Sequence, residues 1–249
     1  MDWNSTQWMW WCAGLFATYL LGGVPFGLLI GMAKGIDVRQ HGSHNLGAAN
    51  VGRTLGRKFG VLTFACDGLK GFVPVFIAGW VMDTINRPDT PPAMAWAWIA
   101  FGVAAILGHV FSPWLWFKGG KGVATGFGAL LAVFPILGLP AIISILLWLV
   151  LVKMTRYIGL SSCIAAVTLP VWVFTVYPLC QKLGIFFERM SHYADKSDWV
   201  LWPYLTAASL MALLVVYAHR GNLKRMLAGT ELKVGESRAV GVGPRSAMA

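Results

Sequence analysis

Long apolar stretches alternate with short polar segments along the chain. They fall near residues 11–32, 59–82, 94–113, 121–153, 158–180 and 199–218. A helix needs about 20 mostly apolar residues to cross a bilayer, and most of these stretches have about that length. The fourth is too long, because at about 1.5 Å per residue it would overshoot a hydrocarbon core of about 30 Å. Pro135, Gly138 and Pro140 break it near its middle, so the pattern predicts seven membrane-spanning helices.

The distribution of Lys and Arg predicts which way these helices run. With seven spans, residues 33–58, 113–121, 153–158 and the tail from 219 share one side and hold 15 Lys and Arg. The other side holds four: Arg87, Lys182, Arg189 and Lys196. Because cytoplasmic loops are enriched in Lys and Arg, we expect the N-terminus on the outer side of the membrane and the C-terminus in the cytoplasm. If the stretch 121–153 were a single span, the chain would have six spans and the two sides would hold 10 and 9 Lys and Arg. This bias would then disappear.

Composition supports the same fold class. Hydrophobic residues make up 57% of the chain, charged residues 12%, and the mean hydropathy is +0.65, which excludes an ordinary soluble globule. We predict an all-α polytopic membrane protein with one transmembrane domain over residues 1–235 and a disordered tail over 236–249. Asp67 and Lys70 lie inside the second span at a spacing that lets two helical side chains face each other. The net charge of +10 is concentrated in loops, so we expect membrane lipids and no nucleic acid as partners.

Three polar blocks fall on the predicted cytoplasmic side. The first, residues 41–58, reads HGSHNLGAANVGRTLGRK and has no carboxylate. Its glycines can turn backbone N–H groups toward an anion, Ser43 and Asn45 add hydrogen-bond donors, and Arg53 can bind a phosphate through two parallel bonds. A basic loop that touches lipid headgroups, or glycines that pack helices, would explain this block equally well.

The second block, residues 108–126, reads GHVFSPWLWFKGGKGVATG. Lys118 and Lys121 bracket a Gly-Gly pair just before a helix that begins near Gly122, and a helix N-terminus beside lysines favours an anion. It is not a Walker A loop, because Lys121 is followed by glycine instead of Ser or Thr. Gly122 and Gly126 have the spacing of a helix-packing motif, which is an equally good explanation for those two glycines.

The third block, residues 218–235, reads AHRGNLKRMLAGTELKVG and follows the last span. Alone it is typical of a basic segment at the membrane surface. Together the three blocks indicate a phosphate-bearing ligand, because they share a side, cations and few carboxylates. His41 and His44 could in principle bind a transition metal, but their spacing recurs by chance and the block itself offers no acidic partner, so we expect no metal and no cofactor.

These blocks resemble the motif regions of bacterial acyl-phosphate:glycerol-3-phosphate acyltransferases. The resemblance runs from about Gly22 to Lys233, and FKGGKGVAT is its most specific part. It implies an enzyme of the bacterial inner membrane with seven transmembrane helices and a cytoplasmic active site. The implied reaction moves a fatty acyl group from acyl phosphate to the sn-1 hydroxyl of glycerol 3-phosphate, giving lysophosphatidic acid and phosphate in phospholipid biosynthesis.

The resemblance also implies the residues of the site. The catalytic set is Lys121, His109, Ser43 and Asn45, and the phosphate-binding set is Arg53, Lys118, Ser162, His219, Arg220, Asn222 and Lys224. The chain departs from the family pattern at His44, Ala49, Gly159 and Gly221. These departures change the expected contacts around those positions and leave the cationic positions intact.

Acyl phosphate is a mixed anhydride, so we expect direct attack by the glycerol hydroxyl, with glycines and cations aligning the phosphates. Either His109 or a substrate phosphate could accept the proton, since both titrate near neutral pH. The His-x4-Asp pair of soluble glycerol-phosphate acyltransferases is absent, since no histidine has Asp at the fifth position after it. We expect acyl phosphate as the only efficient donor, and functional coupling to the enzyme that makes it.

Two other functions explain the sequence less well. A transporter of organic phosphates should show an internal repeat with paired broken helices, which the two halves lack. A phosphatidyl-alcohol transferase would need several aspartates to hold metal ions, whereas only Asp67 lies within a span.

Overall fold

The fold was analysed in a computed structural model that describes residues 3–85, 87, 90–184 and 198–236. All regular structure in these residues is helical. The α-helices are α1 (Ser5–Gly23), α2 (Phe26–Met32), α3 (Ala48–Leu55), α4 (Arg57–Val81), α5 (Pro92–Val110), α6 (Val123–Ala132), α7 (Gly138–Thr155), α8 (Ile158–Lys182), α9 (Asp198–Ala218) and α10 (Arg220–Leu227). Two 3₁₀ turns, Val38–Gln40 and Pro113–Leu115, complete the set. The predicted tail after Glu236, and the cations Arg189 and Lys196, lie outside the described residues.

Six helical segments in the described part of the chain are long and apolar enough to cross a membrane. They are Ser5–Met32, Arg57–Val81, Pro92–Leu115, Gly138–Thr155, Ile158–Cys180 and Leu201–Ala218. The first contains the break between α1 and α2 at Pro25. These segments match six of the predicted spans, so the prediction of an all-α, multi-span membrane protein is confirmed.

The predicted break in the stretch 121–153 is also present. Residues 133–137 separate α6 from α7. With 10 residues, α6 is about 15 Å long, which is about half of a hydrocarbon core. The helices therefore give six spans by length together with one short apolar helix, and a seventh crossing stays a prediction.

Small residues allow α4 and α6 to pack closely. The Cα of Gly128 lies so near the Gly68 carbonyl that an added Cβ would overlap it, and Gly71 meets the Thr125 carbonyl in the same way. Close approach of this kind is the usual way in which membrane helices associate. Gly126 likewise packs against Met211 of α9, which supports the packing explanation for that glycine.

The hydrophobic core fills one half of the helix bundle. It joins the second halves of α4 and α8 to the first halves of α5 and α9, with Trp98, Val173 and Tyr204 at its centre. The indole N–H of Trp98 donates to the Val75 carbonyl at 2.8 Å. The opposite half of the bundle, where α4, α6 and α8 begin and α5, α7 and α9 end, contains a smaller apolar cluster around Leu28, Val38 and Val51, together with polar side chains and a cavity.

Candidate active site

A cavity of about 820 Å³ opens in this polar half of the bundle. One end is lined by polar side chains of the three blocks recognised in the sequence: Ser43, Asn45, Asn50, Arg53, Lys121, His219 and Asn222. The other end is lined by apolar side chains of α4 and α6–α9, among them Phe64, Phe127, Ile145, Trp148, Leu169 and Met211. One cavity therefore joins a cationic compartment to an apolar one.

Asn50 fixes the conformation of the first block. This buried side chain donates to the carbonyls of Val38, His41 and Asn45 at 2.9, 3.1 and 2.8 Å. Its Oδ1 accepts from the backbone N–H of Ser43 at 2.7 Å and faces the Ser43 hydroxyl at 3.2 Å. Ser43 and Asn45 therefore stand at the cavity edge on a loop that the amide of Asn50 holds in place.

Lys121 is the cation at the centre of the polar end. It precedes Gly122, whose φ of 77° turns the chain into α6. Its ammonium donates to Oδ1 of Asn222 on α10. The Asn222 amide in turn donates to Oε1 of Glu231 at 2.6 Å, and Oε2 of Glu231 accepts from Arg225 at 2.6 Å. This chain of contacts joins the second block to the third.

Burial changes the charge balance around Lys121. Desolvation lowers the pKa of Lys121 to about 8, with the cations Arg225 and Arg53 acting in the same direction and Glu231 opposing them. Lys121 remains mostly cationic at pH 7, since pH 7 lies below its pKa. An ammonium that has already lost much of its water interacts more strongly with a bound phosphate than a solvated one does.

Arg53 provides a second cation at the cavity wall. Its Nη2 donates to the Leu232 carbonyl at 3.3 Å, whereas Nε is buried with no hydrogen-bond partner among the described residues. Burial lowers the pKa of the guanidinium, yet an arginine stays charged at neutral pH. A planar donor group with a free N–H at a cavity wall suits an anion.

His219 is a neutral side chain in this site. Burial lowers its pKa to about 4, and the nearby Lys121 ammonium adds to the effect. Nδ1 lies 2.9 Å from the Val215 carbonyl, which only accepts, so Nδ1 carries the proton. Nε2 is then an acceptor that can receive a hydrogen bond from a hydroxyl group and gives none to a phosphate.

His109 and Ser162 line the cavity but direct their polar atoms into the protein. His109 is 7% exposed, with its Nδ1 lying 3.8 Å from Asp67 and its ring against the backbone of Gly120. The Ser162 hydroxyl donates to the Ile158 carbonyl at 2.8 Å and accepts from Trp148 at 3.1 Å. The Ser162 hydroxyl thus has its partners within the protein, whereas Nδ1 of His109 is buried without a hydrogen-bond partner among the described residues.

Comparison with known proteins identifies the family of this chain. Residues 12–229 match the family model described as Glycerol-3-phosphate acyltransferase. The chain belongs to the glycerol-3-phosphate acyltransferase family. It is therefore an acyltransferase of phospholipid biosynthesis and an integral membrane enzyme, and the resemblance drawn from its motifs is confirmed.

The similarity of this acyltransferase to curated members of the family extends over almost the whole chain. The glycerol-3-phosphate acyltransferase of Trichlorobacter lovleyi is 42% identical over 228 residues, covering 92% of this chain and 98% of the relative. That of Acholeplasma laidlawii is 34% identical over 249 residues, covering 94% and 97%.

Two solved structures share the fold of the acyltransferase. Both are of PlsY (YgiH), an integral membrane glycerol 3-phosphate acyltransferase. The glycerol 3-phosphate form has a TM-score of 0.71 at 35% identity and covers 90% of this chain and 96% of that one. The lysophosphatidic acid form has a TM-score of 0.70 at 34% identity, with coverage of 90% and 95%.

Three of the predicted phosphate-binding residues do not line the acyltransferase cavity. Lys118 is exposed in the loop before the Gly-Gly pair, and Lys224 is exposed on α10. Arg220 lies over the Tyr217 ring at 3.9 Å and donates to its carbonyl. For Arg220 and Lys224 the reason is helix geometry. His219 and Asn222, at i and i+3, share the side that faces the cavity, so Arg220 and Lys224 point away from it.

The segment after α10 contributes residues that were not predicted. Val234, Gly235 and Glu236 line the cavity of the acyltransferase. The Val234 carbonyl accepts from Arg156 at 2.8 Å, and the Val234 N–H donates back to the Arg156 carbonyl at 2.8 Å. The sequence offered one signal for this segment, which is the single carboxylate of Glu231 among the cations of the third block.

His41 and His44 each place Nδ1 against a backbone carbonyl. Nδ1 of His41 lies 2.9 Å from the Asp37 carbonyl, and Nδ1 of His44 lies 2.9 Å from the Arg39 carbonyl. Within the described residues, no three side chains of His, Cys, Asp or Glu come together in a group that could hold a metal ion.

Proposed function

We propose that this acyltransferase uses acyl phosphate as its donor and acylates the sn-1 hydroxyl of glycerol 3-phosphate. The observation that supports this most is the single cavity that joins cations to an apolar compartment. A lipid-borne anhydride needs an apolar space for its chain and a cationic space for its phosphate. The similar PlsY structures are described as glycerol 3-phosphate and lysophosphatidic acid forms, which are the acceptor and product of this reaction.

The reaction needs no covalent enzyme intermediate. The glycerol oxygen attacks the carbonyl carbon of acyl phosphate, a new ester bond forms, and the bond from that carbon to the phosphate oxygen breaks. Inorganic phosphate leaves, and the hydroxyl proton goes to a phosphate oxygen. Because the anhydride is already activated, alignment of the two substrates and stabilisation of the departing phosphate account for the catalysis.

The cavity residues divide these tasks among them. Lys121 stabilises the departing phosphate, and Asn222 holds its ammonium in place. Arg53 binds a substrate phosphate together with the Ser43–Asn45 loop. His219, with Nε2 as an acceptor, binds a glycerol hydroxyl rather than a phosphate, and Ser162 shapes the wall through its bond to Trp148.

A substrate phosphate is the proposed proton acceptor. His109 competes poorly for this role, because one side of its ring faces Asp67 and the other packs against Gly120. The phosphate is already in the cavity with a pKa near neutrality, so it accepts the proton without a protein base.

We also propose seven membrane crossings, with the N-terminus in the periplasm and the site at the cytoplasmic face of the bacterial inner membrane. The three basic blocks gather at one end of the bundle, in agreement with 15 Lys and Arg on one side against four on the other. Lys118, Arg220 and Lys224 would then contact lipid phosphates at the membrane surface. Acyl phosphate is a reactive anhydride, so functional coupling to the enzyme that makes it is expected.

Product analysis tests this function. Purified enzyme in lipid is given labelled glycerol 3-phosphate and acyl phosphate, and the acyl position in the lysophosphatidic acid is determined by NMR. We expect 1-acyl product and one inorganic phosphate released for each ester formed. A 2-acyl product, or ester formation without matching phosphate release, would contradict the proposal.

A further inference from the structure

An ion pair lies inside the bundle where the reaction does not use it. Nζ of Lys70 is 2.8 Å from Oδ1 of Asp67, three residues earlier on α4, and the two side chains are only 2% and 4% exposed. Charges within a membrane span are costly, and such residues usually have a function. The contacts of this pair indicate what that function is.

The pair ties three parts of the chain together. The Lys70 ammonium donates to the Val24 carbonyl at 2.7 Å, at the break between α1 and α2. Oδ1 of the Asp67 carboxylate is the acceptor atom that faces Nδ1 of His109 near the end of α5, at 3.8 Å and so beyond hydrogen-bond distance, and this Nδ1 has no hydrogen-bond partner among the described residues. Asp67 and His109 lie between a small cavity of about 10 Å³ and the large substrate cavity, since both residues line both.

His109 in turn contacts the turn that leads to Lys121. The Gly120 N–H donates to the His109 carbonyl at 3.0 Å, and the Gly119 N–H donates to the Val110 carbonyl at 3.0 Å. A Cβ at Gly120 would overlap Nε2 of His109, and one at Gly119 would overlap the His109 carbonyl. The His109 imidazole and the end of α5 therefore fix the position of the Gly119–Gly120 turn. Lys121 directly follows this turn, so its position depends on them.

We propose that Asp67 and Lys70 are positioning residues for the acyl transfer: the buried pair orients His109 and thereby places the Lys121 ammonium at the departing phosphate. This inference rests on the role proposed above for Lys121. A displacement of about 1 Å can cost about 10²-fold in rate, so a rigid support beneath the turn has a direct effect on turnover. Neither side chain touches substrate in this scheme.

The test replaces the pair by apolar residues of similar size. Asp67→Leu/Lys70→Met removes both charges and leaves neither buried without its partner, so the variant is expected to fold. We expect kcat per folded enzyme to fall about 10-fold or more, with KM for glycerol 3-phosphate changed less than about threefold. The matched control is Asp83→Asn/Arg87→Gln, an exposed pair beyond the other end of α4, which should behave as wild type.

The separation of kcat from KM distinguishes positioning from simple stabilisation. A purely structural pair would lower the melting temperature and the yield and leave kcat per folded molecule unchanged, which would overturn the inference. If the apolar variant does not fold, Asp67→Asn/Lys70→Gln makes the same test, because two neutral polar side chains leave no charge buried without its partner and the carboxylate that faces His109 is gone. We expect its kcat to fall at least about fivefold, and a wild-type kcat would again overturn the inference.

Wild-type enzyme assayed in parallel separates this inference from the proposed function. If wild type does not turn over with acyl phosphate, the donor assignment fails. The variants are then compared with the acyl donor that does support turnover, and the same kcat criterion applies.

Discussion

Replacement of Lys121 by methionine removes the ammonium at the polar end of the cavity and keeps the approximate length of the side chain. Lys121 contacts Asn222 across the polar end, and burial has lowered its pKa to about 8. Under the proposed mechanism this ammonium faces the phosphate that leaves. Its removal should therefore reduce the stabilisation of the transition state more than the binding of substrate.

The size of the loss follows from the environment. At a contact of about 3 Å and an effective dielectric constant of about 20, two unit charges attract by about 5 kcal/mol. Part of this is offset because the phosphate loses its own hydration and the ammonium gives up some of its contact with Asn222. A net loss of about 3 kcal/mol, typical when a donor to a developing negative charge is removed, corresponds to about 10²-fold in rate.

Initial rates of lysophosphatidic acid formation by purified enzyme in lipid measure this effect. We expect Lys121→Met to lower kcat/KM by about 10² or more. Lys118→Met is the matched control, because Lys118 is three residues earlier and exposed outside the cavity, and it should stay within about threefold of wild type. A folded Lys121→Met enzyme with near-normal turnover would refute the catalytic assignment.

The pKa of Lys121 also predicts the pH dependence of the free enzyme. Only the cation stabilises the departing phosphate, so kcat/KM should fall as pH rises through about 8. The folded-state pKa lies below the ordinary value of 10.5, so the unfolded chain binds more protons between these values. For this group, the free energy of unfolding therefore rises with pH in that window, and unfolding would not explain the loss of activity. Lys121→Arg, which stays charged, should lack this alkaline limb.

Three further predictions concern the cavity wall, the segment after α10 and the topology. Arg53→Lys should raise KM for a phosphate substrate about tenfold, because lysine cannot bind phosphate through two parallel bonds, and an unchanged KM would exclude this role. Glu231→Ala removes the acceptor of the Asn222 amide and should lower kcat/KM about tenfold. Glu231→Gln keeps an acceptor, so its kcat/KM should fall less. Equal losses of kcat/KM would show that the charge of Glu231 alone matters. Single cysteines at His44 and Lys224, which precede and follow α6, should both react with an impermeant reagent only from the cytoplasmic side of a cysteine-free variant, and labelling of the two positions from opposite sides would exclude seven crossings.

The helices could be predicted because the bilayer restricts the solutions. Apolar length identified the spans, and Pro135 with Gly138 located the break between α6 and α7. The all-helical fold follows because a backbone inside lipid must satisfy its own hydrogen bonds. Hydropathy does not decide whether α6 crosses the membrane. This helix has only ten residues, so its position depends on how it packs against α4.

The site could be predicted only in part. Lys121, Arg53 and Asn222 line one cavity because their blocks share one end of the bundle, and their roles toward substrate stay a prediction. Lys118 and Lys224 have the same chemistry, yet the direction of a side chain depends on how the loop and α10 pack. The place of Glu231 depends on a chain reversal after α10 that brings its carboxylate to Asn222, and no local pattern encodes that contact.

Competition between acyl donors tests the central claim most directly. Purified wild-type enzyme in lipid is given labelled glycerol 3-phosphate with acyl phosphate, acyl-CoA or acyl carrier protein, and initial rates are compared at matched donor concentration. We predict efficient turnover with acyl phosphate alone, and competitive inhibition against it by inorganic phosphate and by a non-hydrolysable acyl-phosphate analogue. Equal or faster turnover with acyl-CoA or acyl carrier protein would contradict the account.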